Sequence, residues 1–130
     1  MYTPRFVHGL LALLLSAAGM ASGMSGDERV IATYPHIAGP ERSAAIRAGY
    51  VRIAPGMSSA EVRDMLGEPD EIRALYAPMA KHPKAIGQTY WYVLQRLAEH
   101  GSQSERQEPA VRVSFDLHGT VTGVDAWGLE

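Results

Sequence analysis

Three carboxylates beside one proline are the residues of this chain that come closest to an acid–base site. Glu68, Asp70 and Glu71 surround Pro69. Neighbouring carboxylates can act as general acid and general base only where a dry cleft shifts the pKa of one of them. A cluster that directly follows a short helix is typical of a solvated surface. The sequence therefore favours a solvated cluster over a catalytic pair.

The other candidate groups do not form a known catalytic or metal-binding pattern. The five histidines are scattered, and no pair has the spacing that two zinc ligands on one helix need. No serine lies in the G-x-S-x-G motif of a nucleophile, and the glycines do not form a phosphate-binding loop. We therefore predict that the protein is not an enzyme and that it has no cofactor, no metal and no small-molecule substrate.

The composition excludes further classes of protein. The chain has no cysteine, so a disulfide framework and a cysteine-bound structural zinc are excluded, and packing alone must hold the domain. The formal net charge is −2 and no basic block occurs. We therefore expect no nucleic-acid partner.

Residues 1–23 are typical of an export signal. Arg5 and His8 precede the apolar run Leu10–Ala18, and small residues follow that run. A run of this length is too short for a transmembrane helix, which needs about 20 residues. We therefore expect a mature chain that begins between Met20 and Met24 and lies outside the cytoplasm.

The mature chain is long enough for one domain with one modest core. Pro35, Gly39 and Pro40 interrupt any periodicity in residues 24–42, so we predict an irregular N-terminal segment there. The domain itself is expected to span residues 43–130.

Two neighbouring helices are predicted at the start of this domain. Apolar residues recur at helical spacing over Ser43–Ile53. The second helix has both ends marked in the sequence: Ser58 and Glu61 have the spacing of a capping box, and Gly67 followed by Pro69 is typical of a helix end. Because Pro55-Gly56 joins the two helices by a tight turn, they must lie side by side.

Three strands follow the helices. We predict a long loop over residues 71–87 that includes a short extended piece at Ile72–Tyr76, and then strands at Thr89–Leu94, Val111–Asp116 and Val121–Asp125. Alternation in the second strand places Val111, Val113 and Phe115 inward. The element order indicates an α+β domain in which two short helices pack on a three-stranded antiparallel sheet, ααβββ.

Both faces of the first predicted strand are apolar. Tyr90 and Tyr92 lie on one face and Trp91 lies on the other. If helices cover only one face of the sheet, one of these sets must lie on the other face, unless the long loop folds over it. An aromatic residue exposed on a flat sheet is typical of a protein–protein contact.

Four motifs follow one another along the chain: Gly-Met-Ser-x-x-x-Val, Leu-Gly-x-Pro, Thr-Tyr-Trp-Tyr-Val, and Val-x-Val-x-Phe-Asp with Gly-x-Val after it. They lie within Tyr50–Asp70, Thr89–Leu94 and Val111–Asp125. Together they resemble the SmpA/OmlA (BamE) family of small outer-membrane lipoproteins, which belong to the β-barrel assembly machinery. The resemblance implies the ααβββ fold, which is shared by β-lactamase-inhibitor-like proteins.

The resemblance also implies a function and a set of contact residues. It implies a non-catalytic accessory of outer-membrane β-barrel assembly, with components of that machinery as partners and a weak contact with anionic lipid. Tyr34 stands where the family has a basic residue, and Gln95 where it can carry an arginine, so a contact with lipid phosphate is weakened. The candidate partner-binding residues are Tyr34, Pro35, Ile37, Tyr90, Trp91 and Gln95.

The chain departs from the family at its anchor. Family members carry a lipidated cysteine at the start of the mature chain, whereas Met24 follows the small residues here. A thioether cannot form that lipid linkage. We therefore expect an unlipidated periplasmic protein, peripheral to the inner face of the outer membrane. The alternative is a periplasmic binding or inhibitor module of the same fold with an unrelated protein partner.

Overall fold

The computed structural model describes residues 28–78, 81–98 and 108–129, which form an α+β fold with two helices and antiparallel sheets. The predicted export signal at 1–23 and Met24 lie outside the described residues. The elements in chain order are β1 (His36–Ile37), α1 (Pro40–Gly49), a 3-10 turn (Tyr50–Arg52), α2 (Ser59–Leu66), β2 (Glu71–Tyr76), β3 (Ala85–Val93), β4 (Gln95–Arg96), β5 (Ala110–Asp116) and β6 (Val121–Trp127).

Helix α2 has the predicted ends. The Ser58 hydroxyl accepts a hydrogen bond from the Glu61 N–H at 3.1 Å, and the Glu61 carboxylate accepts one from the Ser58 N–H at 3.1 Å. These two bonds form the capping box and satisfy two backbone donors at the helix start. Gly67 ends the helix with a φ of 83°, a conformation that favours glycine.

Helix α1 begins three residues before its predicted start at Ser43. Pro40 occupies the first turn, where its fixed φ suits a helix and its missing N–H costs no hydrogen bond. The predicted end at Ile53 is also shifted, because the α-helix ends at Gly49 and tightens into the 3-10 turn. Proline at this position therefore starts the helix instead of interrupting the chain.

The main sheet has four antiparallel strands in the order β2-β3-β5-β6, whereas the sequence pattern predicts three. The additional strand is β2, which pairs with β3 and coincides with the extended piece predicted at Ile72–Tyr76 within the long loop. The prolines that indicate a loop, Pro78 and Pro83, lie between the two strands and leave their hydrogen bonding intact. Strand β6 continues to Trp127 past a register shift opposite Ser114 and Phe115.

A second, two-stranded sheet lies beside the main one. In this mini-sheet, formed by β1 and β4, His36 pairs with Arg96 and Ile37 pairs with Gln95. The Ala38 N–H also donates to the Leu94 carbonyl at 2.9 Å. Part of the segment predicted to be irregular thus pairs with the chain that directly follows β3.

The two helices cover one face of the main sheet. The buried core between these layers consists of Ile46, Ile53, Val62, Leu66, Ile72, Tyr90, Tyr92, Leu94, Val111, Val113, Phe115 and Val121. The residues that alternate with these on the strands point to the opposite face, which no helix of the described residues covers. The candidate site lies beside this helix-free face.

Candidate functional site

Apolar side chains form an exposed surface on the mini-sheet. Ile37 and Gln95 are directly paired, so their side chains lie on the same side. Pro35 directly precedes β1 and Leu97 directly follows β4, and both residues are exposed. Ile37 is 64% exposed and Leu97 is 56% exposed. We call Pro35, Ile37, Gln95 and Leu97 the mini-sheet patch.

The other side of the mini-sheet faces the protein. His36 and Arg96 pair there, and the Arg96 residue is almost completely buried. The Leu97 N–H donates to the Glu108 carboxylate at 2.7 Å, and the Leu94 N–H donates to the Pro109 carbonyl at 3.0 Å. Because both ends of β4 are bonded, the patch is presented on a fixed support.

A buried carboxylate fastens the mini-sheet and the N-terminal segment to the main sheet. Glu71 is 0% exposed, accepts a hydrogen bond from the Ile31 N–H at 2.8 Å, and lies 3.0 Å from the Arg96 guanidinium. Arg73 also donates to it. Burial by itself raises the pKa of Glu71, but the bonds from Ile31, Arg96 and Arg73 outweigh that effect and lower the pKa below its ordinary value.

Asp70 joins β1, α1 and β3 at one carboxylate. It accepts a hydrogen bond from the Val93 N–H at 2.8 Å and lies 3.1 Å from the Arg42 guanidinium. His36 Nε2 lies 3.5 Å from its other oxygen. The carboxylate thus links α1 to β3, and the strand that carries Ile37 lies next to it.

The expectation that the three carboxylates form a solvated cluster is wrong for two of them. Glu71 is fully buried and the Asp70 side chain is mostly buried, whereas the Glu68 side chain is 66% exposed. The carboxylates bind different arginines and point to different parts of the fold. Their neighbourhood in sequence therefore does not produce a paired acid and base.

The two tyrosines of β3 belong to the core. The Tyr90 ring packs on Phe115 with ring centroids 4.5 Å apart. The Tyr92 hydroxyl donates to the Gly67 carbonyl at 2.9 Å. Burial, assisted by the neighbouring Tyr90, raises the pKa of Tyr92 well above its ordinary range. Of the alternatives left open by the sequence, the structure places these tyrosines under the helices.

Trp91 lies on the helix-free face but is only 7% exposed. The Arg73 guanidinium lies 4.0 Å above its ring, Arg112 lies 5.5 Å away, and Trp127 packs edge-on at 5.7 Å. Arginine side chains and a second indole thus cover the Trp91 ring. A partner on this face would meet those side chains before it met Trp91.

The structure brings four of the six predicted contact residues to one region. Pro35, Ile37 and Gln95 share the mini-sheet patch, and Tyr34 precedes it, half-buried, with its hydroxyl donating to the Ile31 carbonyl at 3.2 Å. Tyr90 and Trp91 lie elsewhere. Leu97, which the sequence prediction missed, completes the patch.

Among the described residues, no group of three or more potential metal ligands converges, and no helix has the length and apolar character needed to cross a membrane. The predictions that the protein is not an enzyme and is exported stay predictions. Comparison of the chain with models of protein families, with curated proteins and with solved structures finds no match.

Proposed function

We propose that this protein is a non-catalytic accessory of outer-membrane β-barrel assembly that acts by protein–protein contact in the periplasm. The observation that carries the proposal is the mini-sheet patch. Pro35, Ile37 and Gln95 lie together there, although about 60 residues separate Gln95 from the other two in the chain. These are the residues that the resemblance to the SmpA/OmlA family associates with partner contact.

The patch has the physical character of a protein-binding surface. Two large aliphatic side chains, Ile37 and Leu97, are more than half exposed on a short sheet that is bonded to the domain at both ends. A rigid support limits the entropy lost on binding, and exposed apolar residues gain free energy when a partner covers them. Because Gln95 is only half-buried, it adds hydrogen-bonding capacity at the centre.

A protein partner fits this surface better than a lipid phosphate does. Tyr34 stands at the position before the proline where a cation would be needed, and its hydroxyl is used within the chain. The cation next to Gln95 is Arg96, which is buried against Glu71. The patch itself therefore offers no guanidinium to an anionic headgroup, and we propose at most a weak lipid contact.

We also propose that the domain has the ααβββ arrangement of the BamE-like fold. Two helices followed by an antiparallel meander support the BamE-like ααβββ arrangement, to which β2 adds a fourth strand at the edge of the main sheet. We propose that the domain is unlipidated at Met24 and stays at the inner face of the outer membrane through its partners.

Affinity capture tests the proposal. Tagged protein is recovered from a gently detergent-solubilised cell envelope, and its companions are identified by mass. We expect barrel-assembly components with the unaltered chain, and severalfold lower recovery with Ile37→Ala or Leu97→Ala, because each substitution removes an exposed contact without opening the core. Ile86→Ala is the matched control, since Ile86 is another exposed isoleucine, 42% exposed, on β3.

Two results would contradict this assignment. Equal recovery by Ile37→Ala, Leu97→Ala and the unaltered chain would remove the patch from the interface. Recovery with an unrelated periplasmic protein, and without barrel-assembly components, would favour a binding or inhibitor module of similar fold.

A further inference from the structure

A cluster of arginines surrounds Glu68 at the end of α2. Arg29 Nη2 lies 3.5 Å from Glu68 Oε1, and Arg63 Nε lies 3.4 Å from Glu68 Oε2. The two guanidiniums thus approach one oxygen each of a single carboxylate. They line an open cleft of about 380 Å³ together with Glu68, Glu28 and Ile72. We call this the arginine cleft.

Both guanidiniums are held by contacts that do not involve Glu68. Arg29 donates to the Pro69 carbonyl at 3.0 Å, and its backbone pairs with Ile72 in an antiparallel bridge. The Arg63 guanidinium lies 5.1 Å from the centre of the Tyr90 ring, a cation–π contact. The site would therefore keep its shape if the Glu68 carboxylate moved away.

Glu68 itself is loosely held. Its side chain is 66% exposed and both of its ion-pair distances are long for charge-assisted hydrogen bonds. Asp70, two residues later, shows the contrast: its side chain is mostly buried, and it makes shorter contacts to Val93 and Arg42. An exposed ion pair of this kind contributes little free energy, so an incoming carboxylate can replace Glu68.

The cleft is connected to the mini-sheet patch. Arg42 donates to the Glu68 carbonyl at 2.8 Å and pairs with Asp70, which in turn contacts His36 on β1 beside Ile37. We infer that the arginine cleft binds a carboxylate of an acidic segment of the protein partner, with Glu68 as the internal group that this carboxylate displaces. The inference rests on the proposed function because it gives the chemistry of the partner held at the patch.

Peptide binding by the purified protein tests the inference. The probe is a hexaglutamate peptide with blocked termini, and hexaglutamine is its neutral counterpart. We expect Arg29→Gln and Arg63→Gln to weaken hexaglutamate binding about two- to fivefold each. Glu68→Gln should tighten it by a similar factor, because the internal competitor is removed.

The chain offers matched controls for both kinds of charge change. Arg112 and Asp125 form another exposed ion pair, at 2.7 Å, on the opposite face of the sheet. Arg112→Gln removes one positive charge and Asp125→Asn removes one negative charge, as the test variants do. Neither control should change hexaglutamate affinity by the factor seen at the cleft.

Several outcomes would overturn the inference. Equal effects of Glu68→Gln and Asp125→Asn would show a general effect of net charge, and equal binding of hexaglutamine would show that carboxylates are not recognised. Dependence on Arg63 seen only with inorganic phosphate or with phosphatidylglycerol vesicles would assign the cleft to another anion. Ile37→Ala should leave hexaglutamate binding unchanged, so failure at the cleft and failure at the mini-sheet patch are distinguishable.

Discussion

Two neighbouring rows of side chains cross the four-stranded sheet, and their compositions are opposite. One row consists of Ile72, Tyr90, Val113 and Val124, and it faces the helices. The adjacent row, one residue away on every strand, consists of Glu71, Trp91, Arg112 and Asp125, and it faces away from them. In the first row, apolar packing against the helices excludes water. In the second row, arginine side chains cover Trp91 and keep water away from its ring.

The comparison shows that burial in this sheet has two different physical sources. In the helix-facing row, apolar area is removed from water by α1 and α2. In the helix-free row, the cations that cover Trp91 are themselves partly fixed by carboxylates, above all by buried Glu71. In the part of the chain that the structure describes, the second face of the sheet is thus covered without a third layer of secondary structure.

The largest effect is expected from breaking the buried carboxylate of the helix-free row. Glu71→Gln keeps the volume but removes the charge that Glu71 places 3.0 Å from the buried Arg96 guanidinium. Removing one partner of a buried ion pair costs on the order of 3–5 kcal/mol of unfolding free energy. Urea denaturation measures this loss. A change below about 1 kcal/mol would show that the ion pair does not support this face.

The pH dependence of stability tests the same carboxylate. The pKa of Glu71 in the folded chain lies below its ordinary value of 4.5, so the stabilisation is present above about pH 4.5 and is lost as the pH falls through the folded pKa. We expect the urea midpoint to decline on acidification and the decline to be shallower in Glu71→Gln. The same acid dependence in both proteins would assign it to other carboxylates.

Truncation of a side chain in the helix-facing row should cost less unfolding free energy. Ile72→Ala removes three carbon atoms from a buried side chain at the edge strand β2, and we expect a loss of about 2–3 kcal/mol. Thermal unfolding measures it, with Ile86→Ala as the exposed control. A larger loss of unfolding free energy for Ile72→Ala than for Glu71→Gln would contradict the proposed difference between the rows, because apolar packing would then dominate on both faces of the sheet.

The sequence predicts the helix-facing row well because alternation and helical spacing are local signals. Val111, Val113 and Phe115 are buried as their alternation indicates, and Ser58 caps α2 as expected. The helix-free row could not be predicted in this way. Contacts of Glu71 with Ile31 and Arg96 join residues far apart in the chain, and local pattern carries no information about such pairs.

The candidate site, too, has a part that the sequence predicts and a part that depends on contacts between distant residues. The resemblance to the SmpA/OmlA family predicts Pro35, Ile37 and Gln95 as contact residues. They lie close together because β1 pairs with β4. Strands of two residues are too short to produce a recognisable alternation, so the sequence gives no sign of this sheet. Leu97 was missed for that reason.

The smallest effect should come from the exposed end of the helix-free row. Arg112 and Asp125 are paired at 2.7 Å, but both side chains are well exposed, so a double-mutant cycle with Arg112→Gln and Asp125→Asn should give a coupling of about 0.2–1 kcal/mol. High salt should reduce that coupling, because exposed charges are screened. The double-mutant cycle is needed because Arg112 also stacks near Trp91 and Trp127, and its single substitution therefore removes packing as well as charge. A coupling energy as large as the loss caused by Glu71→Gln would mean that the whole row acts as one network. The buried end at Glu71 and the exposed end at Asp125 would then contribute equally to stability.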